Sequence, residues 1–200
     1  VVHIIQEEAG EDVLLLSGAG EGDINEPIRD SYISRVRWLV ANLVTALLGA
    51  TIISSFGGAI EKLVALAALS PMVASIGGNA GTQTMAVAVR ALATNQLTRA
   101  NTGRILLREL RVAMLNGVTV ATLIGVATAF FFANPLLGLV IGTAVVVNII
   151  TAGLAGVVVP VLFDRFGQDP AVASSVFVTM ITDSMGFFAF LGLAVASGLV

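Results

Sequence analysis

The sequence has no cysteine and a single histidine, and only 12% of its 200 residues are charged. The missing cysteines exclude disulfides and thiolate metal sites, and one histidine excludes a multi-histidine metal centre within one chain. A soluble domain usually carries about 25% charged residues, so this chain has about half the usual charge. Together with 56% apolar residues, the shortage of charge indicates an integral membrane protein.

The few charges are unevenly distributed along the chain. Residues 1–37 hold eight of the thirteen acids. Five long, largely apolar stretches follow, at residues 38–56, 63–89, 112–132, 136–163 and 170–200. The first would extend roughly 28 Å as a helix, close to the thickness of the hydrocarbon core. Because unpaired backbone groups are costly in lipid, each stretch is predicted to be a transmembrane helix.

The basic residues predict how these helices are oriented. Nine of the ten Lys and Arg residues precede the first stretch or lie in the second and fourth connections, and only Lys62 falls on the other side. The positive-inside rule therefore predicts a cytoplasmic N-terminus and an external C-terminus, which an odd number of spans also requires. The predicted fold is an all-α integral membrane protein with five transmembrane helices.

Asp183 is the one charged residue within these five stretches, about midway along the fifth. An acid near the bilayer centre costs about 3 kcal/mol on insertion scales. No Lys, Arg or His within the stretches could pair with it. It is either a protonated side chain hydrogen-bonded to a Thr or Asn nearby, or an ion ligand in a water-filled path. In the second case a twofold dimer would supply two carboxylates.

A polar, glycine-rich run interrupts the second stretch after Pro71. Proline is expected to break or kink the helix, and the glycines permit close backbone approach. Gly77 and Gly81 fit a helix-packing pattern, whereas polar groups such as Asn79 and Gln83 are tolerated at membrane depth when they line a cavity. Three other asparagines are expected to hydrogen-bond between helices: Asn42, Asn116 and Asn148.

Several acids are predicted to lie on the cytoplasmic side near the membrane. They are Asp12, Asp23, Glu26, Asp30 and Asp169. Each alone is interpreted as a solvated surface charge. Together they could bind a hard divalent cation, which prefers oxygen ligands.

Specific segments carry a resemblance to a known family. Residues 70–84 (SPMVASIGGNAGTQT), 89–93 (VRALA), 35–39 (RVRWL) and 167–171 (GQDPA), with Asp183 fourteen residues after Asp169, resemble MgtE magnesium channels. The resemblance covers about residues 28–200. It implies that residues 1–22 are a remnant of the cytosolic CBS region and linker, that 23–37 form a juxtamembrane connecting (plug) helix, and that 38–200 form the five-helix channel domain.

The resemblance also implies a homodimer with a pore on its twofold axis, lined by the second and fifth helices. Asp183 would be the pore Mg²⁺ site and Asp169 a Mg²⁺ site at the cytosolic mouth, with Asp23, Glu26 and Asp30 as regulatory acids. The implied pore-lining residues are Gly77, Gly78, Asn79, Gly81, Gln83, Thr179 and Thr182.

The function implied is conduction of hydrated Mg²⁺, both transported and regulatory, down its electrochemical gradient across the cell's inner (plasma) membrane. The expected partners are a second copy of the chain, membrane lipid and Mg²⁺, with no nucleic acid. A cation-coupled Mg²⁺ exchanger and a non-transporting membrane scaffold remain alternatives. An intramembrane enzyme is not expected, because an aspartyl protease needs two embedded acids and a serine protease needs a base.

Overall fold

The computed structural model describes residues 27–200, apart from the side chains of residues 172 and 173, and these residues fold into helices and short connections. In chain order the helices are α1 Ile28–Ser55, α2 Gly57–Lys62, α3 Ala65–Ala93, α4 Thr102–Phe131, α5 Pro135–Arg165 and α6 Pro170–Ala196. The predicted all-helical fold is confirmed for this part of the chain.

Four of the described helices are long and apolar enough to cross a membrane, namely α1, α4, α5 and α6 from Ser174 onward. The 29-residue α3 is long enough but is not among these four, and its middle carries Gly, Asn, Gln and Thr residues. The polar run thus lies on a helix that four apolar helices accompany.

α5 is the central helix, with α3, α4 and α6 packed against it. Its buried residues include Ile141, Val145 and Ile149, which belong to the largest hydrophobic core. α1 differs sharply, because Gly49 is its one buried residue and its main partner is α6. A helix apolar on nearly all sides and so little covered by its own chain is typical of a surface that faces lipid or another membrane protein.

The local structure adds to the sequence-based expectations at three points. The helix at residues 28–55 has no break at residue 38, so the described part of the predicted connecting helix continues directly into the first span. The connection after that span contains the short helix α2. α3 is continuous through Pro71, so the break expected there does not occur; Ser70 before the proline and Val73 after it are both buried.

Tight turns join the later helices and use matching caps. Asn134 and Asp169 each precede a proline at the first helical position, and each side chain accepts a backbone hydrogen bond from the first turn, from Leu137 and Ala171. Proline suits this position because its missing N–H would be unpaired there in any case. α5 and α6 therefore begin at residues that the sequence specifies locally.

Candidate functional site

Asp183 occupies the middle of α6, with thirteen residues of the helix on either side. Its side chain is half-buried and makes no hydrogen bond or ion pair with any residue in the described part of the chain. The interpretation in which Thr or Asn of the same chain satisfies a protonated aspartate therefore has no support from residues 27–200. The carboxyl group is left available for water, an ion or another subunit.

Two threonines precede Asp183 on the same helix. Thr182 is fully buried and donates a hydrogen bond to the backbone oxygen of Thr179, 3.1 Å away. A Cβ added at Gly78 of α3 would lie 3.8 Å from the Thr182 hydroxyl, and one at Gly81 would lie 3.3 Å from its methyl group. The two glycines thus bring α3 against the part of α6 that carries Asp183.

Asn148 of α5 joins the same three-helix packing from the other side. It is fully buried, and its Nδ2 donates to the Val73 oxygen at 2.9 Å, while its Oδ1 has no partner among the described residues. Gly77 and Gly186 make the space for this amide, because a Cβ at either position would overlap it. The expectation that Asn148 hydrogen-bonds between helices is confirmed.

The α3 residues that are predicted to line one pore have neighbours on different helices. Gly78 and Gly81 contact α6, whereas Gly77 accommodates Asn148. Asn79 is exposed, and Gln83 borders a separate cavity between α3 and α4. Only part of the predicted lining therefore lies beside Thr182.

The predicted cytosolic acids are not brought together within one chain. Asp169 caps α6 by accepting from the Ala171 amide at 2.8 Å, and Asp30 lies exposed in the first turn of α1. Asp23 and Glu26 lie outside the described residues. Within residues 27–200, no three His, Cys, Asp or Glu side chains are grouped so that they could hold a metal ion.

Sequence reasoning overlooked Glu109, which is only 6% exposed on α4. It was counted with the arginine-rich connection, although α4 begins ten residues before the predicted span. The overlooked signal is a four-residue spacing, because Glu109, Ala113, Gly117 and Ala121 all fall on the buried face of α4. A helix extended backward on this pattern would have placed the carboxyl group inside the protein.

Comparison with known proteins agrees with this architecture. Residues 70–193 match the MgtE family, described as divalent cation transporters. The magnesium transporter MgtE of Bacillus subtilis is 30% identical over 199 residues, covering 98% of this chain and 44% of the relative. The protein of the same name from Thermus thermophilus is 32% identical over 198 residues, covering 97% and 44%.

A third protein of that name, from Enterococcus faecalis, is 33% identical over 183 residues, covering 92% of this chain and 40% of the relative. The chain spans less than half the length of these curated relatives. The match to a transporter family agrees with the prediction that the chain is not an enzyme. With its apolar helices, this multi-pass membrane protein belongs to the MgtE family of divalent cation transporters.

Proposed function

We propose that two copies of this chain form a channel that conducts hydrated Mg²⁺ across the plasma membrane. α3 and α6 of each copy line a path on the twofold axis, and the two Asp183 carboxylates face each other across it. The N-terminus lies in the cytoplasm and the C-terminus outside. Movement of the ion is passive and is driven by the inside-negative membrane potential.

The observation that carries this proposal is Asp183, an acid halfway along a membrane helix that has no partner among the described residues. Acids in this situation usually face a water-filled cavity or an ion pathway, because leaving them in lipid is costly. The glycines of α3 pack against Thr182, the residue before Asp183, so the pathway would run along this helix pair.

The chemistry of the ion fits this arrangement. Mg²⁺ loses its water reluctantly and is usually held by one or two carboxylates with several waters retained. A pair of Asp183 side chains on a twofold axis supplies two negative charges, enough to balance one divalent ion. The relatives in three bacteria are named magnesium transporters, which makes Mg²⁺ the ion of choice here.

Potential-driven uptake into liposomes tests the channel directly. The purified chain should admit Mg²⁺ when a potassium diffusion potential makes the interior negative and no sodium is present. The potential favours entry by about 2.3 kcal/mol per charge per 100 mV, twice that for Mg²⁺. If Mg²⁺ uptake requires an opposing sodium or proton gradient, the protein is a cation-coupled exchanger instead of a channel. If there is no uptake under either condition, the non-transporting membrane scaffold is the alternative that fits.

We also propose that Asp169 binds Mg²⁺ at the cytosolic mouth and that Asp23, Glu26 and Asp30 contribute to the same inhibitory response. Asp169 is exposed, and its Oδ1 accepts the helix-capping bond, which leaves Oδ2 free for a cation. Binding there would add a positive ion beside the first turn of α6. Excess cytosolic Mg²⁺ would thereby act on the helix that carries Asp183.

Two substitutions at Asp169 separate inhibition from helix capping. Asp169→Asn should relieve inhibition by Mg²⁺ on the cytosolic face while thermal stability stays unchanged, because asparagine caps helices as well as aspartate does. Asp169→Ala should relieve inhibition and also lose about 1 kcal/mol of stability. If Asp169→Asn is inhibited at the wild-type Mg²⁺ concentration, Asp169 only caps the helix.

A further inference from the structure

The cavity that Gln83 borders lies between α3, α4 and α5, on a different face of α3 from the one that contacts Thr182. Its volume is about 250 Å³. The polar residues around it are Gln83 and Thr84 of α3 with Arg108, Glu109 and Asn116 of α4. A water molecule occupies roughly 30 Å³ in the liquid, so the space admits a small ion with part of its water shell.

The side-chain oxygen atoms around this cavity have few hydrogen-bond partners. Glu109 is 94% buried, and its carboxylate pairs with Arg108 through Oε1 only. Gln83, Thr84 and Asn116 make no side-chain hydrogen bond to any residue in the described part of the chain. The threonines at 119, 122, 143 and 151, by contrast, all bond back to the carbonyl four residues earlier.

The ion pair with Arg108 compensates the buried Glu109 carboxylate only in part. The two residues are neighbours in sequence, and such neighbours do not face each other on a helix. Arg108 is 69% exposed, so its guanidinium reaches Glu109 from the mouth of the cavity, whereas the carboxylate lies inside. A long arginine side chain of this kind can turn outward to the membrane surface instead.

We propose that this cavity binds a single alkali-metal cation, with Glu109 as its charged ligand and the oxygens of Gln83, Thr84 and Asn116 as neutral ligands. All are hard oxygen donors, which suit alkali and alkaline-earth ions rather than soft metals. Among these ions, the charge of the site favours a monovalent one. One carboxylate balances one positive charge, whereas a divalent ion would leave an excess positive charge in a low-dielectric site. Arg108 occupies the position of a competitor that leaves when the cation enters.

Thermal unfolding of the full chain in detergent tests the site without reference to transport. At constant ionic strength, Na⁺ or K⁺ replaces N-methyl-D-glucamine, an organic cation that lacks the compact charge of a metal ion. The unfolding midpoint of the wild type should rise by about 5 °C when the site is saturated. Glu109→Gln should abolish the rise, and Asp183→Asn should retain it, because Asp183 lies at a separate position.

Arg108→Gln provides the decisive comparison. Loss of the competing guanidinium should lower the half-saturating alkali-cation concentration about fivefold, the effect of removing a partly exposed ion pair. If the Arg108–Glu109 ion pair is only structural, Arg108→Gln and Glu109→Gln both lower the unfolding midpoint. Neither variant then changes how that midpoint responds to cations. That result overturns the proposal, as does a wild-type midpoint that responds to Mg²⁺ but to no alkali cation. The result is independent of Mg²⁺ conduction and can succeed or fail separately from it.

Discussion

Asp183→Asn should lower Mg²⁺ flux into liposomes about a hundredfold, if each of the two lost charges contributes about the 1.4 kcal/mol that corresponds to a factor of ten. Asparagine keeps the shape of the side chain and removes its charge, so the variant tests electrostatic attraction rather than packing. Asp183→Ala removes the shape as well and should be at least as impaired.

The matched control is Asp164→Asn, the same chemical change at an exposed position near the end of α5. Its flux should equal that of the wild type. Flux through Asp183→Asn and Asp183→Ala at the wild-type rate and selectivity would contradict the proposal that Asp183 is the ion site.

Stability provides an independent check on the role of Asp183. A carboxylate in a membrane helix costs about 3 kcal/mol on insertion scales, and no described residue compensates for it. Asp183→Asn should therefore unfold at a temperature equal to or above that of the wild type, even though it conducts poorly. A large loss of stability would instead indicate a structural hydrogen bond that residues 27–200 do not contain.

Gly77→Ala should give the largest loss of stability among the glycine positions of α3. The new methyl group would overlap the amide of Asn148, which is fully buried and bonded to Val73, so it cannot move without losing that bond. Overpacking of this kind costs about 1–3 kcal/mol. Thermal unfolding in detergent measures it.

Gly78→Ala is the control because it makes the same chemical change one residue further along the helix. Its Cβ would meet only the Thr182 hydroxyl at an ordinary distance of 3.8 Å. Alanine is favoured over glycine in a helix by about 1 kcal/mol, so this variant should be as stable as the wild type or more so. Equal losses at both positions would show that the Asn148 contact is not the cause.

A double substitution tests the contact itself. Adding Asn148→Ala to Gly77→Ala removes the amide that the new methyl group at residue 77 would overlap. The double variant should therefore lose less stability than the sum of the losses in the two single variants. Additive effects would mean that residues 77 and 148 do not limit each other.

Much of the fold could be predicted because the hydrocarbon core of a membrane permits few backbone structures. Long apolar runs must be helical where water is absent, and the described helices α4, α5 and α6 begin or end near the predicted bounds for that reason. The caps at Asn134 and Asp169 were also predictable in kind, since each precedes a proline where a helix can start. These features are all local in sequence.

The missed features depend on tertiary packing. Pro71 was expected to break or kink α3, but the helix does not break there, and residues on both sides of the proline are buried. Glu109 lies outside the predicted span 112–132, in the arginine-rich second connection. A spacing of four shared with Ala113 and Gly117 places it on the buried face instead. Hydropathy averaged along a segment cannot show this difference between faces.

The candidate site was predicted as a set of residue types, and its arrangement was not. The sequence places Gly78, Asn79, Gly81 and Gln83 in one polar run, but consecutive residues of a helix point about 100° apart. Gly78 and Gly81 therefore contact Thr182, while Gln83 joins Glu109 on another face. Asp183 was identified correctly as unpaired within the described chain, since no compensating charge was available in the apolar stretches.

The unbroken length of α1 has a mechanical consequence for α6. Its 28 residues form a rod of roughly 42 Å. Near its far end Gly49 lies against the Phe187 ring, four residues after Asp183, and Phe56 stacks edge-on with Phe188. Because α1 has no break at residue 38, a tilt of its N-terminal end would act as a lever on α6, the helix that carries Asp183.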